Sequence, residues 1–337
     1  SGSLWFTVNT HNMWPSDRDN GGAIIRSGAS AWVGMAITYY LQRRALEDGD
    51  FLTESPAAKR HLQFARSIAN RLISRQVVSS VDPRYGFITG GEGRYSIEWQ
   101  KDKKRSEEIF YPGKIEWASV EHNIDAYFFL RDLYYLFNDP VIRRSYRLLK
   151  KYLLAKSWNG EIKQFNRGQN LEGSDTVEAL DTASWGAALL QAVGNKKYAR
   201  IAIEKVEKFA VIKNSKIGYR PYINLLVYED QKINRLIYPE DPTKNWSQVS
   251  MHWHEGTLGV ALSHLKLGNR EQAEKIVASV LKSQNDFGAL SYADTSIPFQ
   301  FSDNPSVAST AWLLMVLASL NSQQDLDLFW AEDRPGK

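Results

Sequence analysis

The chain has 337 residues, 43% hydrophobic and 24% charged, the balance of an ordinary globular protein with a sizeable core. Its 42 Lys and Arg against 38 Asp and Glu leave a net charge of +4, too weak to indicate nucleic acid, and its basic residues are mixed with acids apart from a short run at Lys101 to Arg105. No stretch approaches the about 20 apolar residues of a membrane span, so no integral membrane segment is expected, and the lack of Cys excludes disulfides, thiolate metal sites and thiol nucleophiles.

Residues 1–23 open on "SGS", which reads as an expression scar, and continue as "LWFTVNTHNMWPSDRDNGG", an irregular segment by composition. Its Asp17, Asp19 and Asn20 are oxygen donors of the kind calcium takes, but their spacing departs from an EF-hand loop and reads as a polar turn. From residue 24 to 337 a single domain is expected. Five segments in it place a small residue before a large one within a helix that is apolar nearly all round. They are "RSGASAWVGMA" (Ala31-Trp32), "EHNIDAYFFL" (Ala126-Tyr127), "ALDTASWGAAL" (Ser184-Trp185), "HWHEGTLGVAL" (Thr257-Leu258) and "SVASTAWLLMV" (Ala311-Trp312). Such helices are buried on several sides.

Four of the five are followed by an amphipathic helix, over 56–76, 140–156, 196–211 and 269–284, and the fifth by a short partner over 322–331. Three of the connections are the turn signals "NDP", "GNK" and "GNR", short enough to make antiparallel hairpins. The second helices return through "YGFITGG", "WNGEIKQF", "GYRPYINLLVYED" and "FGALSYAD", which read as short strands or hairpins. The insert at 212–246, rich in Tyr, Pro and Asn, reads as a loop or hairpin excursion. Trp32, Tyr127, Trp185, Leu258 and Trp312 are 95, 58, 73 and 54 residues apart, so a tetratricopeptide array, with its period of about 34, is set aside.

Buried helix, polar helix, short turn and glycine–aromatic return together resemble the (α/α) barrel superfamily of six-hairpin glycosidases, related polysaccharide lyases and sugar 2-epimerases, over roughly residues 24–321. The expected fold class is therefore all-α, an (α/α) barrel or toroid of five to six helical hairpins with short β-hairpin loops. The resemblance implies that the polar starts of the buried helices line one mouth of a funnel. It also implies a carbohydrate substrate and, first, a glycoside hydrolase of an extracellular polysaccharide or oligosaccharide. Alternatives are a sugar isomerase of the N-acylglucosamine or cellobiose 2-epimerase kind, a polysaccharide lyase, and a non-catalytic glycan-binding toroid. No cofactor and no metal is expected. G-x-G-x-x-G, P-loop and H-E-x-x-H motifs are absent, as is a G-x-S-x-G elbow. A chain free of Cys favours a periplasmic or secreted location over a cytoplasmic one.

Chemistry enters with "VEHNIDAYFFLRDLYYLF" (120–137), where Glu121, His122, Asn123 and Asp125 crowd the start of an apolar helix. Capping by Ser119 and the helix macrodipole account for one acid. They do not account for Asp125, or for Asp181 in "ALDTASW", because an acid about a turn inside is desolvated unless it has a partner or faces a cavity. Glu121 and Asp125 are i and i+4, with Cβ atoms about 5–6 Å apart. Two such carboxylates repel, so that one keeps its proton near neutrality, as a general acid for glycosidic cleavage must. Asp181, or Glu255 in "MHWHEG", is the candidate second carboxylate.

For substrate binding, Arg26, His122, Asn123, His252, His254 and Asp303 offer partners to sugar hydroxyls. Trp14, Trp99, Trp246 and Trp253 offer faces to a pyranose ring, whereas the repeated positions of Trp32, Trp185 and Trp312 assign those rings to the core. "HNIDAY" (122–127) is similar to the H-x-x-E-A-Y-like stretch of the 2-epimerases, with Asp in place of Glu. That likeness implies His122 and His254 as an acid–base pair. A β-eliminating lyase would use His122, Asn123 and Tyr127, but a uronate calls for more cations than Arg26 and the scattered basic residues supply.

Overall fold

The computed structural model describes residues 24–100, 102–223, 246–297 and 300–334. Two compact units are interleaved along the chain: the first takes the described residues up to 96 with 109–158 and 167–175, the second 97–108, 159–166 and the chain from 176 onward.

In the first unit, α1 (Ser27–Glu47), α2 (Phe51–Glu54) and α3 (Pro56–Ile73) precede α4 (Val120–Phe137) and α5 (Pro140–Tyr152). Helix α1 packs on α3 and α4, and α4 on α5. The composition of α4 and α5 explains their different surroundings. Helix α4 buries 13 of its 18 residues, whereas α5 buries only Ile142, Ser145, Tyr146 and Leu149, the i, i+3, i+4, i+7 stripe of a one-sided helix. The turn between them is built locally. Asn138 takes the left-handed conformation (φ 55°) that ends α4. The Asp139 carboxylate then accepts from the amides of Val141 and Ile142 at 2.8 and 3.4 Å, with Pro140 at the first helical position, a favoured N-terminus.

Strand β1 (Ile25–Arg26) pairs antiparallel with β2 (Gly91–Gln100), Ile25 opposite Glu92 and Arg26 opposite Gly91, and β3 (Arg105–Ile115) lies on the far side of β2. Gly91 has φ 131°, and a Cβ there would lie 1.9 Å from the Ile25 carbonyl oxygen, so only glycine fits. Strand β4 (Ala118–Ser119) leads directly into α4. The "WNGEIKQF" return supplies β5 (Trp158–Asn159) and β6 (Gln164–Phe165). Strand β4 then pairs with β7 (Gly168–Gln169), and β7 with β8 (Ser174–Asp175).

In the second unit, α6 (Leu180–Ala192) is followed by α7 (Lys196–Glu204), which tightens into a 3₁₀ turn over Lys205–Phe209. A hairpin of β9 (Ala210–Lys213) and β10 (Lys216–Tyr219) begins the predicted excursion, of which residues 224–245 lie outside the described residues. Then come α8 (His254–Lys266), α9 (Arg270–Leu281), α10 (Val307–Asn321) and α11 (Gln323–Leu328). Helix α8 packs on α6, α9 and α10. The turns "GNK" and "GNR" fold alike. Gly194 and Gly268 both have φ 82°, and the amides of Asn195 and Asn269 donate back to the carbonyls of Leu190 and His264, each at 2.8 Å, a Schellman-type closure.

Candidate active site

The segment "MHWHEG" is a firmly anchored helix start in the second unit. Before α8 begins, the chain is extended and pinned on both sides. The Trp253 amide donates to the Tyr219 carbonyl at 2.9 Å, the His254 amide to the Tyr292 carbonyl at 3.1 Å, and the His252 amide to Asp294 Oδ1 at 2.7 Å. Thr257 closes the first turn, its hydroxyl donating to the Trp253 carbonyl at 2.7 Å. Glycines bring the helix close to two indoles: a Cβ at Gly256 would lie 2.2 Å from the Trp253 ring, and one at Gly259 2.5 Å from Trp185.

Glu255, half-buried, sits in the first turn of this helix. Burial pushes its carboxyl pKa up to about 7, and the Asp181 carboxylate on α6 raises it further, while a hydrogen bond from the Trp312 indole on α10 opposes the rise. Each cause has the expected sign: low dielectric and a like charge favour the neutral acid, and a donor favours the anion. Asp181 is 7% exposed, in the first turn of α6, and its Oδ1 accepts from the Thr182 amide at 2.5 Å. Thus Asp181 and Glu255 are brought together, 74 residues apart in sequence.

Both neighbouring histidines are held by backbone carbonyls. His254 is 2% exposed and donates from Nδ1 to the Ser291 carbonyl at 2.9 Å. That leaves the lone pair on Nε2, which is buried and has no partner among the described residues. Burial, the dominant influence, lowers its pKa, so the ring is neutral at pH 7. His252 donates from Nε2 to the Val211 carbonyl at 3.1 Å and lies 3.3 Å from Asp294 through Nδ1. Asp294 also meets Lys213 at 3.3 Å.

The tryptophans are placed differently from their sequence reading. Trp246 and Trp253 are 1% and 7% exposed, and their faces are taken by other rings. Trp253 lies parallel to Trp185 at 6.4 Å, and Trp246 meets Tyr222 and Phe301 edge-on at 5.4 and 5.5 Å. They form an aromatic wall rather than open platforms. Tyr292 is half-buried, backed by Phe301 at 5.2 Å and touching Trp253 edge-on, and Tyr222 is half-buried as well. Sequence reasoning passed over Tyr292, as it did Asp294 and Ser291, because all three lie in the "FGALSYAD" return, whose glycine and aromatics signal only a turn. Trp312, whose repeated position places it in the core, is packed, 2% exposed, yet its N–H serves Glu255. Asp303 is on an exposed loop. Trp14 lies outside the described residues, with Asp17, Asp19 and Asn20; Trp99 falls on β2, its side chain outside the description.

The remaining candidates gather in the first unit. Ser119 caps α4, accepting from the His122 amide at 3.3 Å. Glu121 is half-buried and Asp125 fully buried. His122 lies on Gly28 of α1, where a Cβ would stand 2.2 Å from its ring; burial, with the nearby Arg26 guanidinium, lowers its pKa to about 4. Arg26 itself donates to the Gly93 carbonyl at 2.6 Å. Asn123 is wholly occupied by the fold: its Oδ1 accepts from the Ile88 amide at 2.7 Å, and its Nδ2 donates to the carbonyls of Ile88 and Ser119 at 2.9 and 2.6 Å.

Among solved structures, the chain is similar to the unsaturated glucuronyl hydrolase of Bacillus sp. GL1, at TM-score 0.55 and 12% identity, over 91% of this chain and 77% of the other. It is similar also to a glycoside hydrolase family 76 α-mannanase of Bacteroides thetaiotaomicron, at TM-score 0.53 and 9% identity, over 92% and 73%. A third is the cellobiose 2-epimerase of Bacillus thermoamylovorans, at TM-score 0.51 and 13% identity, over 86% and 70%. The chain has the (α/α) toroid fold. Glu255 and Asp181 lie in the first turns of α8 and α6, the leading helices of two of its hairpins. No family model matches the chain, and no curated protein matches it by sequence.

Proposed function

We propose that this chain is a carbohydrate-active enzyme, a glycoside hydrolase acting on a polysaccharide or oligosaccharide in an extracytoplasmic compartment. The observation that carries the reading is Glu255, a carboxyl group with a pKa of about 7 beside the Asp181 carboxylate. Pairs of acids whose surroundings drive their pKa values apart divide the work of glycosidic cleavage. Below pH 7, Glu255 holds a proton it can give to the departing glycosidic oxygen, and the Trp312 N–H steadies the anion left behind. Asp181, oriented by the Thr182 amide, is the group to activate water or attack the sugar. Tyr292 offers an apolar face to a sugar ring, and His254 Nε2 an acceptor for a hydroxyl. The enzymes of this fold named above act on glycans, which agrees with the reading.

A reducing-end assay over a panel of glycans tests it: hydrolysis raises the number of reducing ends. Glu255→Gln should then lower turnover by a factor of about 10²–10⁴, the usual worth of general acid–base catalysis. Full activity in that variant would move the search to the first-unit cluster of Arg26, Glu121 and His122.

A second reading, sugar 2-epimerisation, is favoured by the neutral imidazole of His254 with its unused lone pair. It predicts a new sugar at a constant number of reducing ends.

A further inference from the structure

The second unit contains a concavity that the reaction above does not use. It offers about 430 Å³, lined by Arg200, Ile203, Glu204, Glu207, His264, Leu267 and Asn269, a volume typical of small-molecule sites. His264 is nine residues after Glu255 on α8, about 13 Å along the helix axis, so the two sites are distinct.

Two features mark the concavity as built for a ligand. His264 is 8% exposed. Its Nδ1 lies 3.4 Å from Asn269 Nδ2; with the amide nitrogen as donor, the ring proton is assigned to Nε2. That N–H is buried and meets no acceptor among the described residues, an arrangement that costs stability unless something else accepts from it. Burial lowers the His264 pKa to about 4, so the donor is uncharged at pH 7. The second feature is charge. Arg200 and Glu204 are i and i+4 on α7, the spacing at which such residues commonly pair, and Glu207 follows on the next turn. Yet Arg200 and Glu204 form no ion pair among the described residues, and Glu207 meets the neutral Tyr219 hydroxyl, which leaves its charge without a cation. One cation, two anions and a neutral donor thus surround the cavity over the apolar floor of Ile203 and Leu267.

We propose that this cavity binds a free dibasic amino acid such as lysine. Arg200 and the His264 N–H take its carboxylate, Glu204 and Glu207 its two ammonium groups, and Ile203 and Leu267 its methylene chain. The lining carries a net charge of −1 and the ligand +1, so each charge meets its opposite. The proposal does not depend on the hydrolase reading.

Calorimetric titration of the whole protein with lysine should show saturable binding at one site, and the His264 Nε2–H resonance should shift with the same affinity. Norleucine lacks the distal ammonium and cadaverine lacks the carboxylate; each should bind about fivefold more weakly or worse, the worth of one good exposed ion pair. Glu204→Gln and Glu207→Gln, both at exposed positions that tolerate change, should weaken lysine to a similar degree. No heat and no resonance shift with lysine at about 10 mM, ten times a 1 mM dissociation constant, would overturn the proposal. Equal affinity for cadaverine and lysine would reduce the site to general acidity and overturn it too, as would unchanged lysine binding in both variants.

Discussion

Glu255 begins folding as a solvated carboxyl group of pKa 4.5 and ends it at about 7. The folded state therefore binds its proton more tightly than the unfolded state does. The stability this contributes is complete below pH 4.5 and is lost as pH rises through 7. At 1.36 kcal/mol per pKa unit, the amount is about 3 kcal/mol. Glu255→Gln is neutral at every pH and keeps an acceptor for the Trp312 N–H. Chemical denaturation at pH 8 should find it more stable than the parent by up to about 3 kcal/mol; equal stability at pH 4 and a gain that grows towards pH 8 is the expected pattern. The neighbours move the same group in opposite directions. Trp312→Phe removes the donor that favours the anion, so the alkaline limb of the pH–rate profile should move to higher pH. Asp181→Asn removes the like charge, so the limb of its residual activity should move to lower pH. Identical limbs in both variants would remove Glu255 from the acid role.

At the scale of the element, helix starts carry the polar groups and glycines set how closely the helices approach. Asn123 locks the start of α4 to residue 88 through both ends of its amide, and Ser119 caps the same turn. Asn123→Ala leaves the Ile88 N–H and C=O buried without that partner and should cost about 2–4 kcal/mol in urea unfolding. A loss below about 0.5 kcal/mol, the scale of an ordinary surface substitution, would show that the lock contributes little. Gly28 plays the complementary part on α1, since any Cβ there meets the His122 ring at 2.2 Å. Gly28→Ala should cost about 1–3 kcal/mol by overpacking and displace the His122 resonances in an NMR spectrum; an unchanged His122 spectrum would contradict the close contact.

For the whole molecule, buried imidazoles govern behaviour in acid. His122 and His264 are both lowered from 6.5 to about 4, chiefly by burial. The unfolded chain takes up their protons first, so stability falls as pH drops from 6.5 towards 4. Glu255 acts in the opposite sense over much of that range, but His252 and His254, also lowered chiefly by burial, add to the effect of the other two rings. The melting temperature should therefore fall between pH 6.5 and 5, and a flat profile would count against the burial of both rings. The chain alternates between its two compact units several times, so one cut does not separate them. We propose that they unfold together as a single cooperative domain. Calorimetry should record one transition, and two resolved transitions would refute this.

Patterns local in sequence were legible before any coordinates. Apolar-all-round and one-sided helices alternate because each reports its own burial through its own spacing. The paired "GNK" and "GNR" turns fold alike because a glycine in the left-handed region closes a helix without distant help. Hairpin order and fold class follow from these. The site depended on tertiary contact. Glu121 and Asp125 stood out because they are four residues apart, a repulsion visible on one helix. Glu255 owes its displaced pKa to desolvation, to Asp181 74 residues before it and to Trp312 57 residues after it, and periodicity records none of these. The same holds for Trp246 and Trp253: a loop position suggested open faces, but whether an indole is covered depends on which rings the fold brings against it. Helical phase is a property of neighbours along the chain, whereas acidity and exposure belong to neighbours in space.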